Sequence, residues 1–356
     1  MNINNRTFQN SGQCVWLHDI SRQLLINGLL KSCISDFSVT GLTTSPTTFE
    51  KAISDDSEYD EAIRKLVVCD YAGEGLFFEL ALEDLALAAD MFRPIFDASG
   101  GVDGWVSLAI SPLLANDTTN TIKAATQLHA RASLRNLFIS IPGTPAGIAA
   151  IEQCIFDGIP INVTLLFSSA HYVAAANAYL RGLERRLEAG LDLRIESVAS
   201  VFVSRWDQAV KEEISPQFHN RLGIATAMQT YKAYRDFLAS ERWQAVFVAG
   251  ARPQRLLWVI AGNNDSVESD TLYLEALAAN DTIIAIPETA LIAYGERSKF
   301  VAILPADGGF SETVIEEFRR EGVDDYALAT SLQREGVAAF TKSWLALMLR
   351  IREKCS

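Results

Sequence analysis

Asn136-Leu-Phe-Ile-Ser-Ile-Pro-Gly-Thr144, an amphipathic stretch over 146–156, and Ile161-Asn-Val-Thr-Leu-Leu-Phe-Ser168 follow one another in the middle of the chain. Together they read as a strand, a helix and the next strand. The first run delivers Ser140 to a strand end just before Pro142-Gly143. Both strand runs are nearly continuous in apolar residues, as expected of parallel strands covered on both faces. Similar runs occur at 13–19, 37–43, 104–110, 197–203, 256–261 and 282–286. Helical stretches with apolar residues three and four apart lie between them, at 58–68, 75–92, 170–190, 206–214 and 223–241. A β-then-α unit repeated around the chain predicts an α/β fold, a single (β/α)8 TIM barrel with extra helices. No linker rich in Pro, Gly or Ser divides 1–356, so one domain is expected. A helix over 330–352 is expected to pack on the barrel.

The 356 residues are 49% hydrophobic and 21% charged, an ordinary globular composition, with a net charge of -13. That charge argues against non-specific binding to nucleic acid or to an anionic membrane. No apolar run is long enough to span a bilayer, and the N-terminus has no apolar signal core. The cysteines, Cys14, Cys33, Cys69, Cys154 and Cys355, are scattered and form no CxxC pair. Unpaired thiols in a reducing, cytoplasmic compartment are expected. The four histidines are far apart in sequence, which gives a metal site weak support. The glycine-containing turns at 100–104 and 307–309 lack phosphate-loop or dinucleotide spacing, so no cofactor is expected. A small molecule is the expected partner, and a homo-oligomer is left open.

Several strand ends carry a resemblance to the transaldolases. Val15-Trp16-Leu17-His18-Asp19-Ile20-Ser21-Arg22 resembles their first-strand motif. Gly41-Leu-Thr-Thr-Ser-Pro-Thr-Thr-Phe-Glu-Lys-Ala-Ile53 resembles Gly-Val-Thr-Ser-Asn-Pro-Thr-Ile-Phe-Glu-Lys-Ala-Ile. The run from Ile161 to Ser168 is identical to the family's fifth-strand motif. Ala178-Tyr-Leu-Arg-Gly-Leu-Glu-Arg185, Ser197-Val-Ala-Ser-Val-Phe-Val-Ser-Arg205 and Ala249-Gly-Ala-Arg-Pro-Gln-Arg-Leu-Leu-Trp258 are also similar to it. The resemblance covers nearly the whole chain and implies the same barrel.

It also implies a site at the C-terminal strand ends, with several departures. In the family the fourth strand carries a lysine that forms a Schiff base with the ketose, where this chain has Ser140. Ala109 stands for a glutamate that helps hold the catalytic water, and Ser45 for an asparagine that binds the sugar. Ile260 and Ala261 replace hydroxyl residues, Asn264 a lysine, and Ile284 with Ala285 an Asn-Thr pair. Asp19, Thr164, Ser200 and Arg205 match positions that line the family's site. A hydroxyl cannot form an iminium, so Schiff-base chemistry is expected to be absent. The pocket is expected to be more apolar than one for a sugar phosphate, because each sugar hydroxyl left unpaired costs about 1–3 kcal/mol.

Asp19 is thus the expected acid or base, its pKa raised by apolar walls unless Arg205 opposes the shift. The plainer reading of Asp19 is a bond to backbone or to Arg22. For Ser140 a small filler of the old lysine position is favoured over a nucleophile, since no base lies at a recognisable spacing. Arg205 binds an anion or pairs with Asp207. His18, next to Asp19 on a strand, is expected to face the helices. The expected function is acid/base condensation, cyclisation or isomerisation of a less polar, terpenoid-type substrate. Two alternatives stand beside it: a non-catalytic binding protein, and a transaldolase of the pentose phosphate pathway that uses another lysine.

Overall fold

A computed structural model describes residues 12–18, 20–55, 57–260, 267–297 and 303–355. Eight strands close a barrel in chain order. They are β1 (Cys14–Leu17), β2 (Val39–Thr43), β3 (Trp105–Ala109), β4 (Leu137–Pro142), β5 (Ile161–Leu166), β6 (Ser197–Phe202), β7 (Arg255–Val259) and β8 (Thr282–Ile286). Every neighbouring pair is parallel, including β1 with β8. The expected strands fall in the same places, with ends that differ by about one or two residues.

Helices such as Gly73–Ala98, Pro145–Phe156 and Ser169–Glu188 return the chain from one strand to the next. Thr144 starts the second of these by accepting the Gly147 N–H at 3.1 Å, and Ser168 starts the third by accepting that of His171 at 3.2 Å. The helical stretch expected over 223–241 is instead Leu222–Ala239 and a separate helix, Glu241–Val248. Ser240 makes the break, its hydroxyl accepting the Trp243 N–H that opens the new helix.

Alternation along each strand sorts the apolar residues into two layers. Trp16, Trp105, Phe138, Val198, Leu257 and Ile283 belong to the cluster inside the barrel. Val15, Leu17, Val106, Ile139, Trp258 and Ile284 pack outward, with helix residues such as Leu80, Leu85 and Tyr179. Each fully buried Val, Leu or Ile in these layers contributes about 1.5–3 kcal/mol of transfer free energy. Trp105 stacks on Phe138 with ring centroids 4.2 Å apart, and Phe96 meets Trp105 edge-on at 5.2 Å. A Cβ at Gly41 would stand 2.6 Å from Trp16 Cε2, so only glycine leaves room for that indole. The N-terminal strand ends close this layer with a charged cluster. Arg255 donates to Asp103 at 2.9 Å and to Cys14 Sγ at 3.4 Å, and Cys14 donates to Asp103 at 3.1 Å.

The C-terminal helix runs Asp325–Lys354, beginning before the expected residue 330. It packs against the helix Pro46–Asp55, where the Thr47 and Ser343 hydroxyls meet at 2.9 Å. From it Gln333 Nε2 reaches over the barrel and donates to the Gly143 carbonyl (3.1 Å) and the Leu165 carbonyl (3.0 Å). Leu165 has φ +56, and the β5–β6 register shifts between Val163 and Leu166. A branched residue in the left-handed region is strained, and bonding of its carbonyl by Gln333 helps hold it there.

Candidate active site

The C-terminal half of the barrel interior carries a buried polar chain that the aromatic N-terminal half lacks. Four side chains from four adjacent strands form one hydrogen-bonded chain. Ser200 on β6 donates to Asn162 Oδ1 on β5 at 2.6 Å. Asn162 Nδ2 donates to Ser107 Oγ on β3 at 3.1 Å, and Ser107 meets Ser140 Oγ on β4 at 2.6 Å. All four are buried. The order of donors gives the chain a direction. Ser200 spends its only proton on Asn162, and Ser107 receives one from it. When Ser107 donates onward, the Ser140 hydroxyl keeps its proton for an oxygen at the mouth.

The alternation places the other expected residues plainly. Ala109 pairs with Ser140, and Thr164 pairs with Pro142. Ser45 accepts the Thr48 N–H at 3.2 Å and contacts the Thr48 hydroxyl at 2.9 Å, so its oxygen is engaged in starting a helix. Arg205 is exposed on the helix Ser204–Val210 that follows β6. The alternative pairing with Asp207 does not form. The Asp207 carboxylate accepts instead from the Leu222 and Gly223 N–H groups and from Tyr273, and burial lifts its pKa to about 6. Asp19, Ala261 and Asn264 lie outside the described residues.

Three expectations are corrected. Ile260 and Ile284 do not line the pocket. Both pack in the outer layer, and on β8 it is Ala285 that faces inward. The apolar replacements read from the sequence therefore say little about pocket polarity. His18 does not face the helices. Cys14 and Trp16 point into the barrel, and His18, two residues on, has the same parity at the end of β1. Its N–H continues the ladder to the Ile286 carbonyl at 3.0 Å.

Sequence reasoning missed Ser107 and Asn162. The signal was there: Ser107 is a lone polar residue in the apolar run 105–109, and Asn162 and Thr164 sit two apart in the run 161–164. It also missed a buried cluster beside the first βα turn. Arg22 donates to Asp84 Oδ1 at 2.8 Å and pairs with Glu83, and Tyr59 donates to Asp84 Oδ2 at 2.8 Å. Burial lifts the Asp84 pKa to about 6, partly opposed by Arg22 and Tyr59. Its helical spacing from Leu80 and Ala88, on the apolar face of Gly73–Ala98, was the readable sign.

Among the described residues no group of three or more His, Cys, Asp or Glu side chains is placed to hold a metal ion. No described helix is long and apolar enough to cross a membrane. None of the described lysines is buried.

Comparison with known proteins bears directly on this interior. Residues 15–351 match the family model described as Transaldolase/Fructose-6-phosphate aldolase. A protein named Transaldolase from Saccharopolyspora erythraea is 37% identical, over 99% of this chain and 98% of its own. One from Acidothermus cellulolyticus is 38% identical, over 95% and 93%. Transaldolase 2 from Streptomyces coelicolor is 35% identical, over 96% and 95%. These full-length relatives overturn the expected cyclase or isomerase of a terpenoid-type substrate, and favour the transaldolase alternative over it. The physical reason agrees: the supposed apolar lining at Ile260 and Ile284 faces outward, while hydroxyl and amide groups from β3 to β6 line part of the inner face. The barrel, its strand-end motifs and the extent of the match together make this chain a member of the transaldolase/fructose-6-phosphate aldolase family.

Proposed function

We propose that this protein is a transaldolase acting on sugar phosphates of the pentose phosphate pathway, moving a three-carbon ketol unit from a ketose phosphate to an aldose phosphate. The observation that carries this reading is similarity to proteins named transaldolase along almost the entire chain. The inner polar layer supports it, because sugar hydroxyls need partners when they leave water. Ser140, Ser107, Asn162 and Ser200 present such partners together. Arg205, a fixed cation on the helix after β6, is suited to a phosphate.

In this reaction a ketose breaks between C3 and C4. A base removes the C4 hydroxyl proton, and the electron pair of the broken bond is drawn towards C2. In our reading Ser140 serves as a hydrogen-bond donor to the substrate and forms no covalent bond with it. An imine would need a lysine. Those described are exposed, apart from the partly buried Lys354, which pairs with Asp60, and Lys299 lies outside the described residues.

The test is a coupled assay with fructose 6-phosphate and erythrose 4-phosphate, reading release of glyceraldehyde 3-phosphate. Turnover is expected, and its absence at high enzyme concentration would overturn the reading. Borohydride added during turnover, followed by intact mass, reads the route. A mass gain of one reduced sugar would assign the chemistry to a lysine. An unmodified, active protein would support the hydrogen-bonded route through Ser140.

A further inference from the structure

The cation suited to a phosphate stands on a short support. Arg205 belongs to the helix Ser204–Val210, whose 7 residues are too few to hold a helix by themselves. Of residues 204–207 only Arg205 is exposed. Its neighbours are tied to other parts of the barrel. The Val203 N–H donates to the Val259 carbonyl at the end of β7 at 3.2 Å. Trp206 Nε1 donates to the Phe167 carbonyl, just past β5, at 2.8 Å. Asp207 reaches another way. Its Oδ1 accepts the Leu222 N–H at 3.0 Å, and its Oδ2 accepts the Gly223 N–H at 3.1 Å and the Tyr273 hydroxyl at 2.7 Å. Tyr273 lies on the helix Val267–Ala276, which follows β7.

Gly223 admits this close approach. A Cβ there would stand 2.5 Å from the Val203 carbonyl oxygen and 2.6 Å from Asp207 Oδ2. The bonded N–H groups open the helix Leu222–Ala239, at the positive end of its dipole. The Asp207 charge is met there, so the guanidinium of Arg205 keeps its own charge for a ligand. We propose that Asp207 is a positioning residue: by fastening the helix Ser204–Val210 to the helix Leu222–Ala239 and to Tyr273, it fixes Arg205 to receive the substrate phosphate. The inference rests on the transaldolase reading, with Arg205 as the cation for the phosphate. A guanidinium held in place gives up less freedom on binding, so part of the affinity for phosphate comes from this clamp. Asn in place of Asp would turn an amide NH₂ towards one of the backbone donors, and at least one bond of the clamp would be lost.

The experiment follows release of glyceraldehyde 3-phosphate from saturating fructose 6-phosphate at pH 8, above the Asp207 pKa of about 6. The acceptor is either erythrose 4-phosphate or D-glyceraldehyde, which lacks the phosphate. Asp207→Asn should raise KM for erythrose 4-phosphate roughly tenfold, and KM for D-glyceraldehyde less than about threefold. A structural role alone would lower kcat or the active fraction with both acceptors alike. Arg205→Ala should erase the preference for the phosphorylated acceptor. Asp207→Asn added to it should change the ratio of the two KM values no further, as expected of residues that act as one unit. Equal effects on the two acceptors, or independent effects in the double variant, would overturn the proposal and leave the transaldolase reading standing. Should Asp207→Asn not fold, Tyr273→Phe decides, because it removes one donor and spares the carboxylate. A smaller shift of the same sign is expected from it, and a wild-type KM ratio would overturn the proposal. If the wild-type chain itself turns over no sugar phosphate, the transaldolase reading fails and this proposal falls with it.

Discussion

The two ends of the barrel interior are built from the same eight strands and differ in almost every other respect. At the N-terminal end the side chains fill space: Trp105 stacks on Phe138, Trp16 lies over Gly41, and Asp103 is shared by Arg255 and Cys14. At the C-terminal end a chain of small polar side chains runs from Ser200 to Ser140, with the Phe167–Phe202 pair stacked in the same inner layer. One end is packed to hold the strands together. The other gives up apolar packing for donors and acceptors that a ligand can use. A (β/α)8 barrel allows this division because its C-terminal loops can change while the opposite end supports them.

The comparison can be broken most easily at the closed end. Arg255→Met should leave Asp103 without its charge partner in a mostly buried place. A loss of about 3–5 kcal/mol is expected, measured by urea unfolding. A loss below about 1 kcal/mol would mean that water reaches the cluster and that this end is not sealed.

Beside the open end, Asp84 makes stability depend on pH. Its pKa is about 6 in the folded protein against an ordinary 3.8. Between those values the folded state keeps a proton that the unfolded chain has lost. The contribution of Asp84 is therefore full below about pH 4 and is lost as pH rises through 6, by about 3 kcal/mol at most. Asp84→Asn should flatten that slope in melts taken from pH 4 to 7. An unchanged slope would exclude Asp84 as its source.

Within the open end, Asn162→Ala removes the link between two hydroxyls. Stability should fall by about 1–2 kcal/mol, because Ser107 and Ser200 lose a buried partner each. Activity should fall more than stability suggests, since Ser140 loses its fixed orientation. Unchanged kinetics would separate the hydroxyl chain from catalysis.

The smallest effect sharpens the contrast without disturbing either end. Burial and the neighbouring Asp103 push the Cys14 thiol up to about 11, while Cys69 is exposed. Iodoacetamide at pH 8 should label Cys69 and spare Cys14, as read by peptide mass spectrometry. Equal labelling would show that the closed end opens.

The barrel was legible because eight apolar runs alternate with amphipathic ones, the repeat of a closed parallel sheet ringed by helices, and because the strand-end motifs resemble those of one barrel family. Ser140 and Ser200 were legible as site residues through motif resemblance. Ser107 and Asn162 were not, although they carry the same chain of bonds. His18, Ile260 and Ile284 were assigned to the wrong side. In an antiparallel sheet with one wet face, polar and apolar residues would have marked the sides. Here Ile283 and Ile284 are equally buried and equally apolar, one inside the barrel and one under the helices.

The sequence by itself determined the number of strands, their order and the family. Only the closed tertiary structure decided which face of each strand looks inward, and so which polar side chains meet. The reason is geometric. Alternation fixes that residues 14, 16 and 18 share a face, but with both faces dry the pattern carries no sign of which one is enclosed until the strands close on each other.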